Sequence, residues 1–290
     1  MTTPVTALPG GWGQAPYLLM GHGRASALAH WAQDEALVVA LTGRRPGDVG
    51  LVGLGPADQV AALLARALPE LRDTRADGAV ARGESACAWS RLRWATVPRG
   101  TWASLERTAQ DAAALLADWS APSSWDCMWT HRPLTGVPEH AVERLPADDV
   151  AVRAEVAAAL ERAHPTASTT PDDPRLIGWW GVREAGALVA VVGAMRYGPG
   201  LAPHLVSLGV DAEHRGRGLA GAVLGAAVRD GLAAGAEVGE PGVWLGLYAS
   251  NAAARRVYLR HGFELGHEFD SRDAPVAVEL TTAAEAASAR

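Results

Sequence analysis

A chain of 290 residues is long enough for two domains of ordinary size, each with a substantial core. Hydrophobic residues make up 49% of it and charged residues 20%, which excludes a disordered protein, a collagen-like fibre and a coiled-coil rod. The 26 basic and 32 acidic residues give a net charge of -6. Without a basic run to neutralise phosphates, we expect no nucleic-acid partner.

The sequence favours a cytoplasmic protein in a reducing compartment. The two cysteines, Cys87 and Cys127, cannot form a multi-disulfide framework and belong to no C-x-x-C pair. The first residues, MTTPVTALPGGWGQAP, lack a charged segment followed by an apolar one. No window has 18 uninterrupted apolar residues, so we expect neither a signal peptide nor a membrane partner.

The first half of the chain has the pattern of a small mixed domain. Apolar spacing predicts a short helix over Ser26–Gln33, and the turn residues GRRPGD between two apolar runs predict a hairpin of Ala36–Thr42 and Val49–Leu54. A helix is predicted after Pro56, a strand within Ala86–Val97 and a helix over Ser104–Trp119. Eight of the eleven tryptophans precede residue 130, and we expect them to fill the core.

His131–Pro146, with three prolines and a glycine, is the predicted linker. A more regular half follows, in which Asp148 and Asp149 can cap a helix that runs to about His164. The predicted order is β-α-β-β-β-α-β-α-β-β, an α/β fold with helices on the faces of one sheet. The predicted strands are Ala141–Leu145, IGWWGVRE, ALVAVVGAMRY, HLVSLGV, GVWLGLY, FELGHEF and PVAVEL, and the predicted helices after the first are Gly218–Ala233 and Asn251–His261.

The sharpest local signal is the glycine-rich segment Gly216–Gly221, which matches G-x-G-x-x-G. A dinucleotide fold would place the first glycine directly after its first strand, with an acidic residue at the end of the next strand. Here the polar segment DAEHR intervenes, earlier strands precede it, and the next strand ends in Ala-Ser-Asn. This context argues against a dinucleotide site.

The same segment suits pyrophosphate binding. A strand ends, a loop of backbone N–H groups follows, and a helix begins with its positive end exposed. Glycines allow the backbone to approach an anion, and Arg215 and Arg217 can add positive charge. A plain strand-to-helix turn with solvated arginines is the alternative.

These residues resemble a known family. Arg215-Gly216-Arg217-Gly218-Leu219-Ala220 is similar to the R-x-x-G-x-[GA] acyl-CoA signature of the GNAT superfamily of N-acyltransferases, and the later segment from Tyr248 to Phe263 is similar as well. The resemblance covers about residues 140 to 280. It implies acetyl-CoA, or another acyl-CoA, as the bound donor.

The resemblance also implies which residues bind the donor. On the positions that match, the cofactor-binding residues are Leu208, Val210, Arg215, Gly216, Arg217, Gly218, Leu219, Ala220, Asn251 and Tyr258. Asn251 also suits the N-cap of a helix, and Tyr258 lies two helical turns later on nearly the same face. His261, three residues further on, is an alternative acid.

Three residues are implied in catalysis. Tyr258 would protonate the leaving thiolate, and the Val210 amide would polarise the acyl carbonyl. Many relatives carry a glutamate base about eleven residues before the signature arginine, where this chain has His204. A histidine can accept a proton from an ammonium, directly or through water, although a strand-end His after a proline can also be purely structural.

The first half of the chain also resembles the partner domain of glycine N-acyltransferase-like proteins, in the order of a GHG triplet, a helix, a VVAL strand and a distal Trp-rich segment. On this basis we expect two GNAT-like domains in tandem with mixed, mostly antiparallel sheets: a degenerate domain in residues 1–138 and a catalytic domain in residues 139–290. Gly53-Leu54-Gly55 lacks the signature arginine, so we expect no CoA in the first domain.

The expected function is acyl-CoA-dependent N-acetyl transfer to a small amine or amino-acid-like acceptor in one ternary complex. An acyl-CoA-binding or sensing protein without turnover is the alternative, and a structural protein is a third possibility. The histidines His22, His30, His131, His140 and His164 show no ligand spacing, so no metal is expected. The sequence leaves a homodimer open and does not identify the acceptor.

Overall fold

The structure is a computed structural model that describes residues 3–43, 47–73, 89–167, 169–236 and 242–275. The chain forms two compact units. Unit 1 consists of Met1–Leu28 with Ser123–Asp270, and unit 2 consists of Ala29–Pro122 with Ser271–Arg290. These divisions fall elsewhere than the predicted domain boundary at residue 138, since unit 1 takes in segments from both sides of it.

The described residues contain twelve strands and seven α-helices. In chain order they are β1 (Thr3–Pro4), α1 (Pro16–His22), β2 (Ser26–Gln33), β3 (Ala36–Thr42), β4 (Val49–Leu54), α2 (Ala57–Asp73), β5 (Leu92–Pro98), α3 (Thr101–Thr108), α4 (Gln110–Ala114), β6 (Ser123–Thr130), β7 (Glu143–Leu145), α5 (Val150–Ala163), β8 (Leu176–Glu184), β9 (Ala187–Met195), β10 (His204–Val210), α6 (Leu219–Ala236), β11 (Val243–Tyr248), α7 (Ala252–His261) and β12 (Glu264–Asp273). The predicted α/β fold with mostly antiparallel strands is confirmed.

In unit 2 the predicted hairpin is confirmed, because β3 and β4 pair antiparallel from Leu37↔Leu54 to Thr42↔Val49. Helix α2 begins directly after Pro56, as expected, and β4 then pairs parallel with β5. The predicted helix over Ser104–Trp119 is wrong in extent, because α3 ends at Thr108 and α4 is a separate short helix. Of the strand predicted within Ala86–Val97, residues 86–88 lie outside the described residues.

The helix predicted over Ser26–Gln33 is wrong, because this segment is the strand β2. Its first residues pair antiparallel with β1, Ala27 opposite Thr3, and β3 is its other neighbour in the sheet. In so short a segment the apolar residues fit both the helical and the strand repeat, and pairing with neighbouring strands decides the secondary structure.

The strands of unit 1 that follow residue 122 lie in the order β12-β6-β11-β10-β9-β8-β7. The predicted succession from β7 to β12 is confirmed, while the final predicted strand, PVAVEL, falls in residues that the structure does not describe. Strand β6 precedes the predicted boundary, yet it pairs with β11 over six residues, from Trp125↔Tyr248 to Thr130↔Val243. The sheet of unit 1 is therefore completed by a strand from the first half of the sequence.

Helices cover both faces of this sheet. Val192 of β9 belongs to the apolar core beneath α6 and α7, whereas Val191 belongs to the core beneath α5. Trp179 of β8 is fully buried on the α5 side. Since successive strand residues point to opposite faces, the continuous apolar run of β9 fills both cores.

Several smaller expectations have a structural outcome. Of the eight early tryptophans, core filling is confirmed for the buried Trp102 and Trp119, whereas the other six are only half-buried. Cys127 is a buried free thiol whose pKa is raised by burial, and Cys87 lies outside the described residues. None of the helices that the structure describes is long and apolar enough to cross a membrane.

The cap of α5 provides a test of this fold. The Asp149 carboxylate accepts hydrogen bonds from the amides of Ala151 (2.8 Å) and Val152 (3.3 Å), as the sequence predicts. Asp149→Ala should lower the free energy of unfolding by about 1 kcal/mol, whereas Asp149→Asn, which keeps a capping oxygen, should retain most of it. Urea denaturation measures both, and equal losses in the two variants would contradict the cap.

Candidate active site

Strands β10 and β11 part within the sheet of unit 1. Their parallel register covers only His204↔Trp244 and Leu205↔Leu245 among the described residues. Beyond these pairs β10 continues beside β9 to Val210, and β11 continues beside β6 to Tyr248. The two strands therefore separate like the arms of a V, and we call the space between 206–210 and 246–248 the opening.

A bulge in β10 accompanies this separation. The register with β9 shifts between Val206 and Gly209, and Ser207 has a φ of 54°. A left-handed conformation at a serine costs on the order of 1–3 kcal/mol, and an extra residue bends the strand. At Gly209 a Cβ atom would lie 3.0 Å from the Cβ of Ala163, so the glycine lets the end of α5 pack against the bent strand.

The ladder fixes the direction of the Val210 amide. Val210 lies opposite Ala190, and the next residue, Asp211, donates its N–H to the Val189 carbonyl at 2.9 Å. Hydrogen-bonded and non-bonded pairs alternate in an antiparallel ladder, so the N–H of Val210 points away from β9 and toward the opening. The Val210 carbonyl, which points the same way, accepts a hydrogen bond from Nε of Arg215 (3.2 Å).

A charged contact holds this end of β10 in place. Nε of Arg162, in the last turn of α5, donates to the Asp211 carboxylate at 3.2 Å, and its Nη2 donates to the Leu188 carbonyl at 2.8 Å. One guanidinium thus ties α5 to β9 and to the residue after Val210. This fixed backbone suits a preorganised hydrogen-bond donor.

The predicted anion loop lies between β10 and α6. Gly216 and Gly218 have φ values of 77° and 80°, which glycine adopts without strain. The first intrahelical bond runs from the Ala222 amide to the Gly218 carbonyl, which leaves the preceding amides of the loop and first turn as donors. The loop thus has the geometry that the sequence predicts for an anion site.

The two arginines of the loop differ in their partners. Both terminal nitrogens of Arg217 donate to the Glu184 carboxylate, one of them at 3.0 Å, and this pairing lowers the pKa of Glu184. Arg217 is therefore already neutralised within the protein. Arg215 has no carboxylate partner within 4.0 Å among the described residues, so it is the better phosphate ligand.

The reason for Gly218 differs from the one expected. A Cβ at Gly218 would lie 2.5 Å from Cγ of Pro138, so the glycine makes room for this proline. Gly221 accommodates Pro138 and His261 in the same way, and a Cβ at Gly225 would lie 2.7 Å from Val137. Pro138 therefore occupies the space beside Gly218, whereas a Cβ at Gly216 would meet no atom within 4 Å.

The predicted linker is part of unit 1. Besides these contacts, the His140 ring lies 3.0 Å from the Arg217 carbonyl, and Thr135 and His261 are joined by two hydrogen bonds of 3.0 Å. Residues 135–140 therefore lie against the first turns of α6 and the end of α7. His261 is committed to Thr135 through Nδ1, which weakens its standing as an alternative acid.

Asn251 and Tyr258 lie on α7. The Asn251 side chain accepts from the Ala254 amide at 3.0 Å, which confirms it as the N-cap. Tyr258 is buried in the core beneath α6 and α7, edge to face with Phe263 at 5.5 Å. Burial raises the pKa of its phenol, so Tyr258 is protonated at neutral pH.

His204 lies on the opposite face. Its neighbour Leu205 belongs to the core beneath α6 and α7, and alternation turns His204 away from it. The imidazole stacks on Trp244, with ring centroids 3.9 Å apart, and its Nδ1 lies 2.9 Å from the Tyr197 hydroxyl. The structure thus places the predicted base and the predicted acid on different faces, on strands that border one opening.

Sequence reasoning missed three features of this region. The sequence identifies Tyr197 only as the end of a strand, Trp244 only as part of a strand, and Pro138 only as part of a linker. A tyrosine seven residues before His204, in a loop that returns to the start of β10, was the available signal for the first. Pro138 had none, because its contacts join residues 80 positions apart. The described residues hold no cluster of three or more potential metal ligands.

The comparisons with known proteins give the family of the second half of the chain. Residues 148–263 match the family described as Acetyltransferase (GNAT) family, and this part of the chain is a GNAT acetyltransferase domain. The family uses acetyl-CoA or another acyl-CoA, and the match supports a transferase. No curated protein matches the chain in sequence.

Solved structures that match the chain include a protein of the GNAT family from Novosphingobium aromaticivorans, 26% identical, with a TM-score of 0.41; the match covers 53% of this chain and 65% of that one. A GCN5-related N-acetyltransferase from Kribbella flavida is 16% identical over 85% of this chain and 89% of that one (TM-score 0.44). A tandem GNAT protein from the clavulanic acid biosynthesis pathway is 16% identical over 87% and 80% (TM-score 0.45).

The unequal pairing of the two arginines is testable. Arg215→Ala should weaken CoA binding roughly tenfold or more, because a charge-assisted contact to phosphate is lost. The matched control, Arg217→Ala combined with Glu184→Gln, removes an ion pair without changing the net charge and should stay within about threefold of the wild type. Titration calorimetry measures both, and equal losses would contradict the assignment of Arg215.

Proposed function

We propose that this protein is an N-acetyltransferase that transfers an acetyl group from acetyl-CoA to a small amine. The observation that carries the proposal is the opening between β10 and β11, which is bordered by an inward-pointing Val210 amide and lies beside the anion loop of α6. An amide at the end of an open strand and a helix N-terminus suit the two polar parts of an acyl-CoA, its thioester carbonyl and its pyrophosphate.

The residues of this region fit the donor. Leu208 and Val210 pack their side chains against the core beneath α6 and α7, and the bulge removes Leu208 from the ladder with β9. We assign the amides of Leu208 and Val210 to the pantetheine arm and the thioester carbonyl, the backbone amides of 216–220 with the Arg215 side chain to the pyrophosphate, and Asn251 to the pantetheine arm. Acetyl-CoA, when bound, supplies the activated acetyl group.

His204 is the proposed base. A strand rises about 3.3 Å per residue, so His204 lies up to about 13 Å along β10 from Leu208. Because of this distance, the imidazole takes the proton of the attacking ammonium through ordered water rather than by direct contact within the opening. Its position on the face opposite Tyr258 lets the amine approach from one side of the sheet and the donor from the other.

Tyr258 is the proposed acid. Its buried phenol is held by Phe263 on the same face as the side chains of Leu208 and Val210. The raised pKa keeps the proton on the phenol throughout the neutral range, so the acid is in its active form. The same shift makes it a weak acid, and proton transfer must therefore accompany formation of the thiolate.

The acceptor side is formed by the beginning of the chain. Helix α1 belongs to unit 1, and its Gly21 lies beside Trp244, since a Cβ there would be in ordinary contact with the indole at 3.7 Å. Gly23 lies against Leu201 in the loop before β10. We propose that this segment lines the acceptor pocket next to His204, and that the protein acts in the cytoplasm without nucleic acid.

The direct test is turnover. The full chain is incubated with acetyl-CoA and a panel of small amines and amino acids, and free thiol and acetylated product are measured together. Thiol release that depends on one class of amine, with matching product, supports the proposal. Thermal stabilisation by acetyl-CoA without amine-dependent release would instead show a binding protein.

Loss of the Tyr258 hydroxyl should affect chemistry rather than binding. Tyr258→Phe keeps the ring on Phe263, so we expect kcat to fall by roughly 10-fold to 1,000-fold with little change in KM for acetyl-CoA or in thermal stability. Steady-state kinetics measure this split. An unchanged kcat in a folded variant would mean that another group or water protonates the thiolate.

A further inference from the structure

Tyr197 is in direct contact with the proposed base. It follows β9, and its hydroxyl lies 2.9 Å from Nδ1 of His204, with the two rings 5.4 Å apart. The position of Tyr197 is itself fixed, because the Arg175 guanidinium lies 5.5 Å from the centre of its ring and donates from Nε to Asp173 at 2.8 Å. A hydroxyl held in this way defines a partner for one imidazole nitrogen.

Trp244 fixes the plane of the same imidazole. The two rings are stacked, 15° from parallel, and Trp244 is almost fully buried. Stacking restricts rotation of the His204 ring, while the hydroxyl selects which nitrogen faces Tyr197. The ring therefore has one orientation, in which Nε2 is the nitrogen turned away from Tyr197.

We infer that Tyr197 is a positioning residue that holds the His204 proton on Nδ1, so that Nε2 is the atom that accepts the proton of the acceptor amine. A hydroxyl can either donate to Nδ1 or accept from it. Only the second arrangement survives protonation, because imidazolium carries a proton on both nitrogens. With Nδ1–H donating to the Tyr197 oxygen throughout, no hydroxyl has to rotate during the reaction.

The proton balance follows from this arrangement. An N–H bond of the ammonium breaks, its electron pair stays on the amine nitrogen for attack on the acetyl carbon, and the proton is relayed through ordered water to form a bond with Nε2. The Tyr197 oxygen stabilises the resulting imidazolium through Nδ1–H. This inference rests on the proposed function, in which His204 is the base.

The tautomer can be observed without turnover. In full-length protein with ¹⁵N-labelled histidine, long-range ¹H–¹⁵N spectra under conditions where the ring is neutral identify which nitrogen carries the proton, and His204→Gln assigns the signal by its loss. We expect Nδ1–H in the wild type and a shift toward Nε2–H in Tyr197→Phe. Loss of one hydrogen bond should also lower kcat about 3-fold to 10-fold, with KM for acetyl-CoA unchanged.

Thr108→Val is the control, since it removes a hydrogen-bonded hydroxyl, which donates to the Ser104 carbonyl at 2.8 Å, at a position outside the residues assigned to the site. It should leave both the His204 spectrum and kcat unchanged. An Nε2–H tautomer in the wild type, or a Tyr197→Phe protein with unaltered spectrum and kcat, would overturn the inference. A His204→Gln protein with full kcat would instead show that His204 is not the base of the proposed function. The tautomer of His204 in the spectra would still test the role of Tyr197.

Discussion

The parting of β10 from β11 is the constraint on which the candidate site depends. After two residue pairs the strands separate, but β10 stays paired with β9 and β11 stays paired with β6. The backbone groups of β10 and β11 that face each other across the gap are therefore held in fixed positions. Three features keep the two strands apart: the bulge at Ser207, the contact of Gly209 with α5 and the Arg162–Asp211 ion pair. The fold thereby supplies oriented donors that need no reorganisation when a ligand binds.

The charges around this gap are arranged unevenly. Arg217 is held by Glu184 and Arg162 by Asp211, so each of these guanidinium groups is compensated within the protein. Arg215 contacts only a carbonyl among its described hydrogen-bond partners and lies nearest the strand end. Gly218, just before α6, and Gly221 and Gly225 within it accommodate the segment that carries Pro138 and Val137. A motif that looks uniform in sequence thus combines packing positions with binding positions.

Local patterns in the sequence predicted much of unit 1. The bounds of β10 and the N-caps Asp149 and Asn251 follow from alternation and capping chemistry, which depend on near neighbours. The sequence could not predict that β6 pairs with β11, that Ser26–Gln33 is a strand, or that Pro138 lies on Gly218, because each depends on a partner distant in the chain. The Tyr197–His204 contact belongs to the same class, since a loop conformation creates it.

The central claim is that the opening holds the acyl-CoA thioester. A crystal structure of the full chain with an unreactive thioether analogue of acetyl-CoA tests it most directly. We expect the pantetheine arm to lie between residues 206–210 of β10 and 246–248 of β11. The acyl oxygen should lie within hydrogen-bond distance of the Leu208 or Val210 amide, and the pyrophosphate should lie on residues 215–220 beside Arg215. An analogue bound elsewhere, with β10 and β11 closed against each other, would contradict it.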